Sequence, residues 1–269
     1  MTHPTRGIRS RALLALTATI ATAVGIGVAA LRYRGFRRHL AEQSAILSET
    51  LPVNSKFWRN HAKVKGELLY VAIGDSAAQG IGASVPDRGY VGLLADHMRL
   101  VTGRTVRVIN LSVSGATVEL AVRDQLPRFE KLAPDVVTVA IGANDIARWD
   151  AAVFAAGIRR LFAALPEHAL VADLPCFHLP HNERTVAIAN RLLQERAAVH
   201  DLTVVPLHAT TKRQGLRSIA TQFANDMFHP NDRGYRVWAE AFLPSLTADL
   251  AQRFPPIDRA ASSSVGGRS

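Results

Sequence analysis

The hydrophobic residues of this chain are concentrated in five short runs, which are separated by longer segments of mixed polarity. The runs cover residues 68–73, 106–111, 136–141, 169–173 and 203–207, and each lies close to Gly, Pro or Asp. Runs of this length between turn residues are typical of strands that are buried on both faces of a parallel sheet. The pattern therefore predicts a sheet built from these runs.

Between the runs, apolar residues recur at helical spacing. The three clearest stripes are Val118, Val122, Phe129 and Leu132; Phe154, Ile158, Leu161 and Leu165; and Val186, Ala189, Leu193 and Ala197. Alternating strands and helices predict an α/β fold, with a parallel sheet covered by helices on both faces. Ligands bind such sheets beyond the carboxyl ends of the strands, so functional residues are expected after the runs.

The N-terminal part of the chain has a different pattern, because the twenty residues from Ala12 to Leu31 carry no charge. As a helix rising 1.5 Å per residue, this segment could cross the hydrocarbon core of a bilayer. Arginines flank it on both sides, so the positive-inside rule does not decide its orientation. We predict a transmembrane anchor over residues 12–31, and a cleaved signal peptide is the alternative.

The charge follows the same division of the chain. The net charge is +10, and residues 1–65 contain 11 Lys/Arg against 2 Asp/Glu, whereas the remainder is nearly balanced. A nucleic-acid-binding domain carries its basic patch on the folded part, so no nucleic-acid partner is expected. A basic arm beside an apolar segment favours attraction to a membrane surface. The predicted parts are a basic N-terminus (1–11), the anchor or signal segment (12–31), a basic juxtamembrane linker interrupted by Pro52 (32–65), a folded domain (66–255) and a disordered tail (256–269).

Three residues are candidates for nucleophilic catalysis. Ser76 follows the first apolar run, in Gly74-Asp75-Ser76, and Asp226 precedes His229 by three residues near the C-terminus. A serine, a general base and an acid that orients the base are the minimum set for acyl transfer through a serine ester. On its own, Ser76 could equally cap the next helix, so the remote Asp226 and His229 decide in favour of a nucleophile.

Together with Gly115 and with Gly142-Ala143-Asn144-Asp145, which follow the next two runs, these motifs resemble those of the SGNH hydrolases, the GDSL-type esterases and lipases. Ser112 departs from the resemblance, because many members have a second glycine there. The resemblance spans about residues 67–250 and implies a flavodoxin-like three-layer α/β/α sandwich, preceded here by the N-terminal apolar helix. It also favours an extracytoplasmic catalytic domain.

A hole for the oxyanion is expected at the same edge of the sheet. Its proposed donors are the backbone N–H groups of Ser76 and Gly115 and the side-chain amide of Asn144, which would stabilise charge that appears only in the transition state. Gly115 could instead be a turn glycine, and Asn144 could form an Asx turn. Asp75 and Asp145 are interpreted as structural.

The combined prediction is a serine esterase that acts on a small-molecule or lipid ester, with lysophospholipase-like or lipase-like action on acyl lipids preferred. The alternatives are a deacetylase of a cell-envelope glycan and a catalytically inactive, membrane-tethered binding module. No cofactor and no metal are expected, since Cys176 is the only cysteine and no zinc motif is present. The predicted location is a single-pass membrane anchor with an extracytoplasmic domain, and secretion after cleavage or a cytoplasmic orientation are the alternatives. Aromatic and Met side chains near the active edge could form an acyl site: Trp149, Phe177, Phe223, Met227 and Phe228.

Overall fold

The computed structural model describes residues 26, 29–35, 37–39, 41–47 and 49–256. Contacts divide the chain into two compact units, Met1–Ile46 and Leu47–Ser269. The described residues up to 47 are helical. No helix in the described part of the chain is both long enough and apolar enough to span a bilayer. Residues 12–25, most of the predicted anchor, and residues 257–269 of the predicted tail lie outside the described residues.

The second unit is built around a sheet of five parallel strands, as the apolar runs predict. The strand order is 2-1-3-4-5, which places β1 and β3 side by side in the interior of the sheet. This is the order of flavodoxin-type doubly wound sheets. The strands are β1 (Leu68–Gly74), β2 (Val106–Asn110), β3 (Val136–Ala140), β4 (Leu170–Ala172) and β5 (Thr203–Val205).

Helices cover both faces of the sheet, also as predicted. Successive β1 residues point to opposite faces, so Tyr70 packs in one core and Val71 in the other. From Leu51 onward the helices are α1 (Leu51–His61), α2 (Tyr90–Thr102), α3 (Val118–Asp124), α4 (Leu126–Phe129), α5 (Ala151–Phe162), α6 (Pro180–Val199), α7 (Leu207–Arg213), α8 (Arg217–Thr221) and α9 (Asp232–Arg253), with short 3-10 helices at Pro86–Arg88 and Ala143–Arg148. The first core includes side chains of α1, α2 and α9, and the second those of α3, α5 and α6.

The apolar stripe over residues 118–132 does not form a single helix, because the helical segment is divided at Gln125 into α3 and α4. The buried Gln125 side chain accepts a hydrogen bond from the Gly74 N–H and donates one to the Gly74 carbonyl. Pro127 then follows in the first turn of α4, where its missing N–H is tolerated. The break therefore fixes the end of β1, two residues before Ser76.

Helix α1 belongs to the same compact unit as the sheet. Pro52 lies in its first turn and does not interrupt it. The side chains of Asn54 and Trp58 both donate to the Gln79 carbonyl, at 2.8 and 3.1 Å. At the opposite end of α1, the Ala62 carbonyl accepts a bond from Arg107 in β2. The helix thus runs from the carboxyl edge of the sheet to its amino edge.

Candidate active site

Three side chains that are distant in sequence form a continuous hydrogen-bonded chain at the carboxyl edge of the sheet. The Ser76 hydroxyl lies 2.9 Å from His229 Nε2, and His229 Nδ1 lies 2.6 Å from a carboxylate oxygen of Asp226. Ser76 and Asp226 are each 5% exposed. The structure therefore brings together the three residues that the sequence singles out as nucleophile, base and orienting acid.

The turn from Asp226 to His229 is built to hold this contact. The second carboxylate oxygen of Asp226 accepts bonds from the backbone N–H groups of Phe228 and His229. Met227 takes a left-handed conformation (φ 57°), which allows the tight turn. Burial raises the pKa of Asp226, but the bonds from His229 and from the backbone outweigh burial, so the net pKa lies below its ordinary value. Asp226 is consequently ionised at neutral pH.

The loop that carries Ser76 is pressed against the turn that carries His229. Gly82 in this loop has φ +93°, a conformation that favours glycine. A Cβ at this position would lie 2.5 Å from the Pro230 carbonyl oxygen and 3.0 Å from the Cβ of His229. Only a glycine therefore permits the close approach that puts His229 beside Ser76.

The three proposed oxyanion donors differ in their present partners. The backbone N–H groups of Ser76 and Gly115 have no acceptor among the described residues, and Gly115 adopts φ +76°. The amide of Asn144 donates to Asp75 Oδ2 at 3.1 Å and to the Ala116 carbonyl at 3.0 Å. Since the amide has two hydrogens, Asn144 would have to share or exchange one of these bonds in order to hold an oxyanion.

Two buried carboxyl groups support these loops. Asp75 accepts the Ala77 N–H with one oxygen and the Asn144 amide with the other. Asp145 accepts the N–H of Val118 at the start of α3, where a negative charge is favourable. Burial raises the pKa of each group to about 6. At Asp75, the hydrogen bond from Ala77 and the nearby His229 oppose this rise in pKa. At Asp145, the hydrogen bond from Val118 opposes it. The structural role predicted for Asp145 agrees with this contact, whereas the contact between Asp75 and Asn144 was not predicted.

A cavity of about 460 Å³ lies away from these residues, at the amino edge of the sheet. It is lined by Val64, Lys65, Arg99, Gly103, Arg104, Thr105 and Val106. Because none of these lining residues belongs to the Ser76, Asp226 and His229 constellation at the carboxyl edge, this cavity is not part of the candidate site. The Ser112 departure does not disturb the site either: the Ser112 hydroxyl bonds to Asn110, and the Ser112 carbonyl accepts a bond from Gln79.

Comparison with known proteins adds a family and a set of similar folds. A model of the GDSL-like lipase/acylhydrolase family matches residues 72–237. No curated protein sequence matches the chain. One similar structure is LAE5, described as an alpha/beta hydrolase enzyme from the metagenome of Lake Arreo, Spain, with a TM-score of 0.57, 24% identity, and coverage of 69% of this chain and 98% of that one.

Two further structures share the fold at similar levels. Axe2, an acetylxylan esterase from Geobacillus stearothermophilus, has a TM-score of 0.52 and 24% identity, over 68% of this chain and 96% of that one. The lipase Lip_vut3 from a goat rumen metagenome has a TM-score of 0.55 and 20% identity, over 66% of this chain and 97% of that one. At these identities, the similarity concerns the fold.

Proposed function

The chain belongs to the GDSL-like lipase/acylhydrolase family, and on that premise we propose that it hydrolyses carboxylic esters through an acyl-enzyme on Ser76. The observation that carries this proposal is the unbroken hydrogen-bonded chain from Asp226 through His229 to Ser76. These are the groups that acyl transfer needs, in the order in which a proton has to move. The reaction requires no redox step.

In the first half-reaction, the Ser76 oxygen attacks the ester carbonyl while His229 Nε2 takes the hydroxyl proton. Asp226 holds the other ring nitrogen and stabilises the imidazolium that forms. The tetrahedral oxyanion is held by the N–H groups of Ser76 and Gly115, with Asn144 as the third donor. His229 then returns the proton to the leaving alkoxide, and the acyl group stays on Ser76. In the second half-reaction, water attacks the acyl-enzyme with His229 as the base, and the carboxylic acid is released from Ser76.

We further propose an acyl lipid as the substrate class. Large apolar side chains are exposed on the loops at the carboxyl edge, where solvent exposure alone is unfavourable: Val113 (41%), Leu179 (61%), Leu216 (74%), Met227 (41%) and Phe228 (50%). Phe228 directly precedes His229 in the sequence, and the two rings pack edge to face with their centroids 5.0 Å apart. An acyl chain or a lipid surface would cover these groups.

The proposal includes a membrane tether over residues 12–31, with the catalytic domain on the extracytoplasmic side. The anchor rests on the uncharged segment, its flanking arginines and the basic N-terminal arm, and the extracytoplasmic orientation rests on the resemblance to the SGNH hydrolases. Carbonate extraction of membranes from expressing cells, followed by protease treatment of intact cells or spheroplasts, tests the anchor and its orientation. Full-length protein in the soluble fraction, or a mature N-terminus near Val24, would contradict the anchor.

The substrate class is tested with the full chain on esters of increasing acyl length, from acetyl to palmitoyl, together with lysophospholipids and an acetylated glycan. We expect the ratio kcat/KM to rise with acyl length and to be highest on the lipids. Turnover confined to acetyl groups would favour the glycan deacetylase instead. A fluorophosphonate probe should label the wild type and not Ser76→Ala. A folded wild type that neither labels nor turns over any ester would favour the inactive binding module.

A further inference from the structure

A second cluster of reactive side chains lies outside the Ser76 site, where the loop after β4 meets α6 and α7. Cys176 is in the loop, Glu183 is in the first turn of α6, and His208 is near the start of α7. Their donor atoms, a thiol sulfur, a carboxylate oxygen and an imidazole nitrogen, all lie within 4.8 Å of one another. Three different elements therefore aim metal-binding atoms at one point.

The contacts inside the cluster are close. His208 Nε2 lies 2.9 Å from Glu183 Oε2, and His178 Nδ1 lies 3.6 Å from the Cys176 sulfur. Cys176 is buried, whereas the side chains of Glu183 and His208 are each 23% exposed. An ion could thus reach the sulfur from the solvent side through the carboxylate and the imidazole.

Neighbouring residues fix the backbones of Cys176 and His208 and the side-chain carboxylate of Glu183. The Cys176 N–H donates to the Thr211 hydroxyl in α7, and the His208 N–H donates to the carboxylate of Asp173. The remaining oxygen of Glu183 accepts the Phe177 N–H at 2.6 Å. The donor atoms are consequently held in place before any ion binds, which lowers the cost of ordering them.

We propose that this cluster binds one Zn²⁺ ion through Cys176, Glu183 and His208, and that His178, which contacts the sulfur but lies outside the three-residue cluster, turns towards the ion as the fourth ligand. A mixed set of sulfur, nitrogen and oxygen donors suits zinc, whereas calcium and magnesium prefer oxygen alone. With Zn–S near 2.3 Å and Zn–N near 2.0–2.1 Å, tetrahedral geometry separates the sulfur and nitrogen ligands by about 3.6 Å. That value matches the contact between Cys176 and His178.

Binding would neutralise the charge of the cluster. The Cys176 thiol loses its proton to solvent as the S–Zn bond forms, and the thiolate and the Glu183 carboxylate together balance the two positive charges. Glu183 and His208 exchange their mutual contact for bonds to the ion. Four protein ligands leave no open position, so the role assigned to this ion is structural and not catalytic.

The proposed zinc site is connected to the segment that carries the catalytic His229. His178 Nε2 lies 3.2 Å from the Ser218 hydroxyl in α8, and the His178 ring lies edge-on to Phe223. Phe223 pairs with Pro230, the residue after His229. A bound zinc ion would therefore link the loop after β4 to the helices that precede the His229 turn.

The test uses the full chain without a polyhistidine tag, stripped of metal by a chelator and reloaded with Zn²⁺ alone. After desalting, elemental analysis should find about one zinc per chain, and zinc should raise the Tm. Reloading with Co²⁺ should give the near-ultraviolet charge-transfer absorption of a thiolate–cobalt bond. Cys176→Ser should lose the band and the Tm shift, and Glu183→Gln and His208→Ala should lower the zinc affinity at least tenfold.

The matched control is His181→Ala, because His181 is exposed in the first turn of α6 beside Glu183 but is not part of the cluster. It should bind zinc and cobalt like the wild type. Circular dichroism of each metal-free variant checks that the fold is retained, and Glu183→Gln serves as the second probe if Cys176→Ser does not fold. Failure of the wild type to retain zinc, or equal retention by Cys176→Ser, would overturn the proposal.

Discussion

The carboxylate of Asp75 holds the side-chain amide of Asn144, with Asn144 Nδ2 3.1 Å from Asp75 Oδ2. Asp75 directly precedes Ser76 in the sequence. The residue next to the proposed nucleophile therefore orients a proposed oxyanion donor that follows a different strand. A carboxylate can only accept hydrogen bonds, which fixes the amide with its nitrogen towards Asp75. The role of Asp75 therefore extends beyond holding its own loop.

Replacing Asp75 by Asn should lower kcat with little change in KM. The new amide can still accept the Ala77 N–H, but its NH₂ group would face the NH₂ group of Asn144, and two donors cannot pair. We expect a loss in kcat that approaches that of Asn144→Ala, which should itself be about 10²–10³-fold. Steady-state kinetics of both variants and of the double variant check this, and additive losses would mean that the two residues act independently.

The pH dependence of stability should also change in Asp75→Asn. The pKa of Asp75 is about 6 in the folded protein against 3.8 for the ordinary carboxyl, so folding takes up a proton between these values. The stability contributed by this group is therefore present below pH 3.8 and is lost as the pH rises to about 6. Across that window, the wild type should lose roughly 3 kcal/mol relative to the variant.

Urea unfolding of the two proteins at several pH values from 4 to 7 measures this difference directly. Asp145 also has a raised pKa, but it is present in both proteins and largely cancels in the comparison. Parallel stability curves over this range would refute the assignment of a raised pKa to Asp75.

Replacing Asp226 by Asn should leave the fold intact and lower kcat by up to about 10⁴-fold, the loss seen for the analogous change in serine proteases. The carboxylate fixes the histidine tautomer that presents an unprotonated nitrogen to Ser76, and an amide does not impose that choice. The exposed Asp96, which pairs with Arg99 on the surface of α2, supplies the control variant Asp96→Asn. Near-wild-type kcat in Asp226→Asn would remove Asp226 from the triad.

Replacing Gly82 by Ala should separate His229 from Ser76. The added methyl group meets the Pro230 carbonyl and the Cβ of His229, and the positive φ adds strain. A displacement near 1 Å can cost about 10² in rate, so kcat should fall by roughly that factor and the Tm should fall as well. Gly215→Ala is the matched control, because Gly215 also has a positive φ but an added Cβ would meet nothing within 4 Å. Equal effects of the two substitutions on kcat would argue against the steric explanation.

The sequence predicted the parts of the molecule that depend on local pattern. The strand runs, the helices on both faces and the family follow from short-range periodicity and from motifs at strand ends. Ser76, Asp226 and His229 could be singled out because each carries its chemistry in a recognisable neighbourhood. The predicted anchor over 12–31 stays a prediction, since most of it lies outside the described residues.

Other features depend on distances between elements, which no local pattern encodes. The bond between Asp75 and Asn144 requires the register of β1 against β3, and the need for glycine at Gly82 appears only when two loops meet. Cys176 and His208 are 32 positions apart, and their spacing to Glu183 matches no zinc motif. The expectation of no metal reflected that missing motif, and metal analysis of the full chain decides between that expectation and the proposed zinc site.

Helix α1 decides where the catalytic unit can be cut. A fragment that begins at residue 66 lacks Asn54 and Trp58, so the Gln79 carbonyl loses both of its side-chain donors. The apolar surface that Trp58 covers also becomes exposed to water. Losing the partners of a buried carbonyl costs about 1–3 kcal/mol, and losing a buried Trp side chain costs about 3–5 kcal/mol. The shortest stable soluble version should therefore start near Leu47, the first residue of the compact unit. A protease that nicks the chain between α1 and β1 would be expected to release a destabilised enzyme, even though every catalytic residue lies on the intact side of the cut.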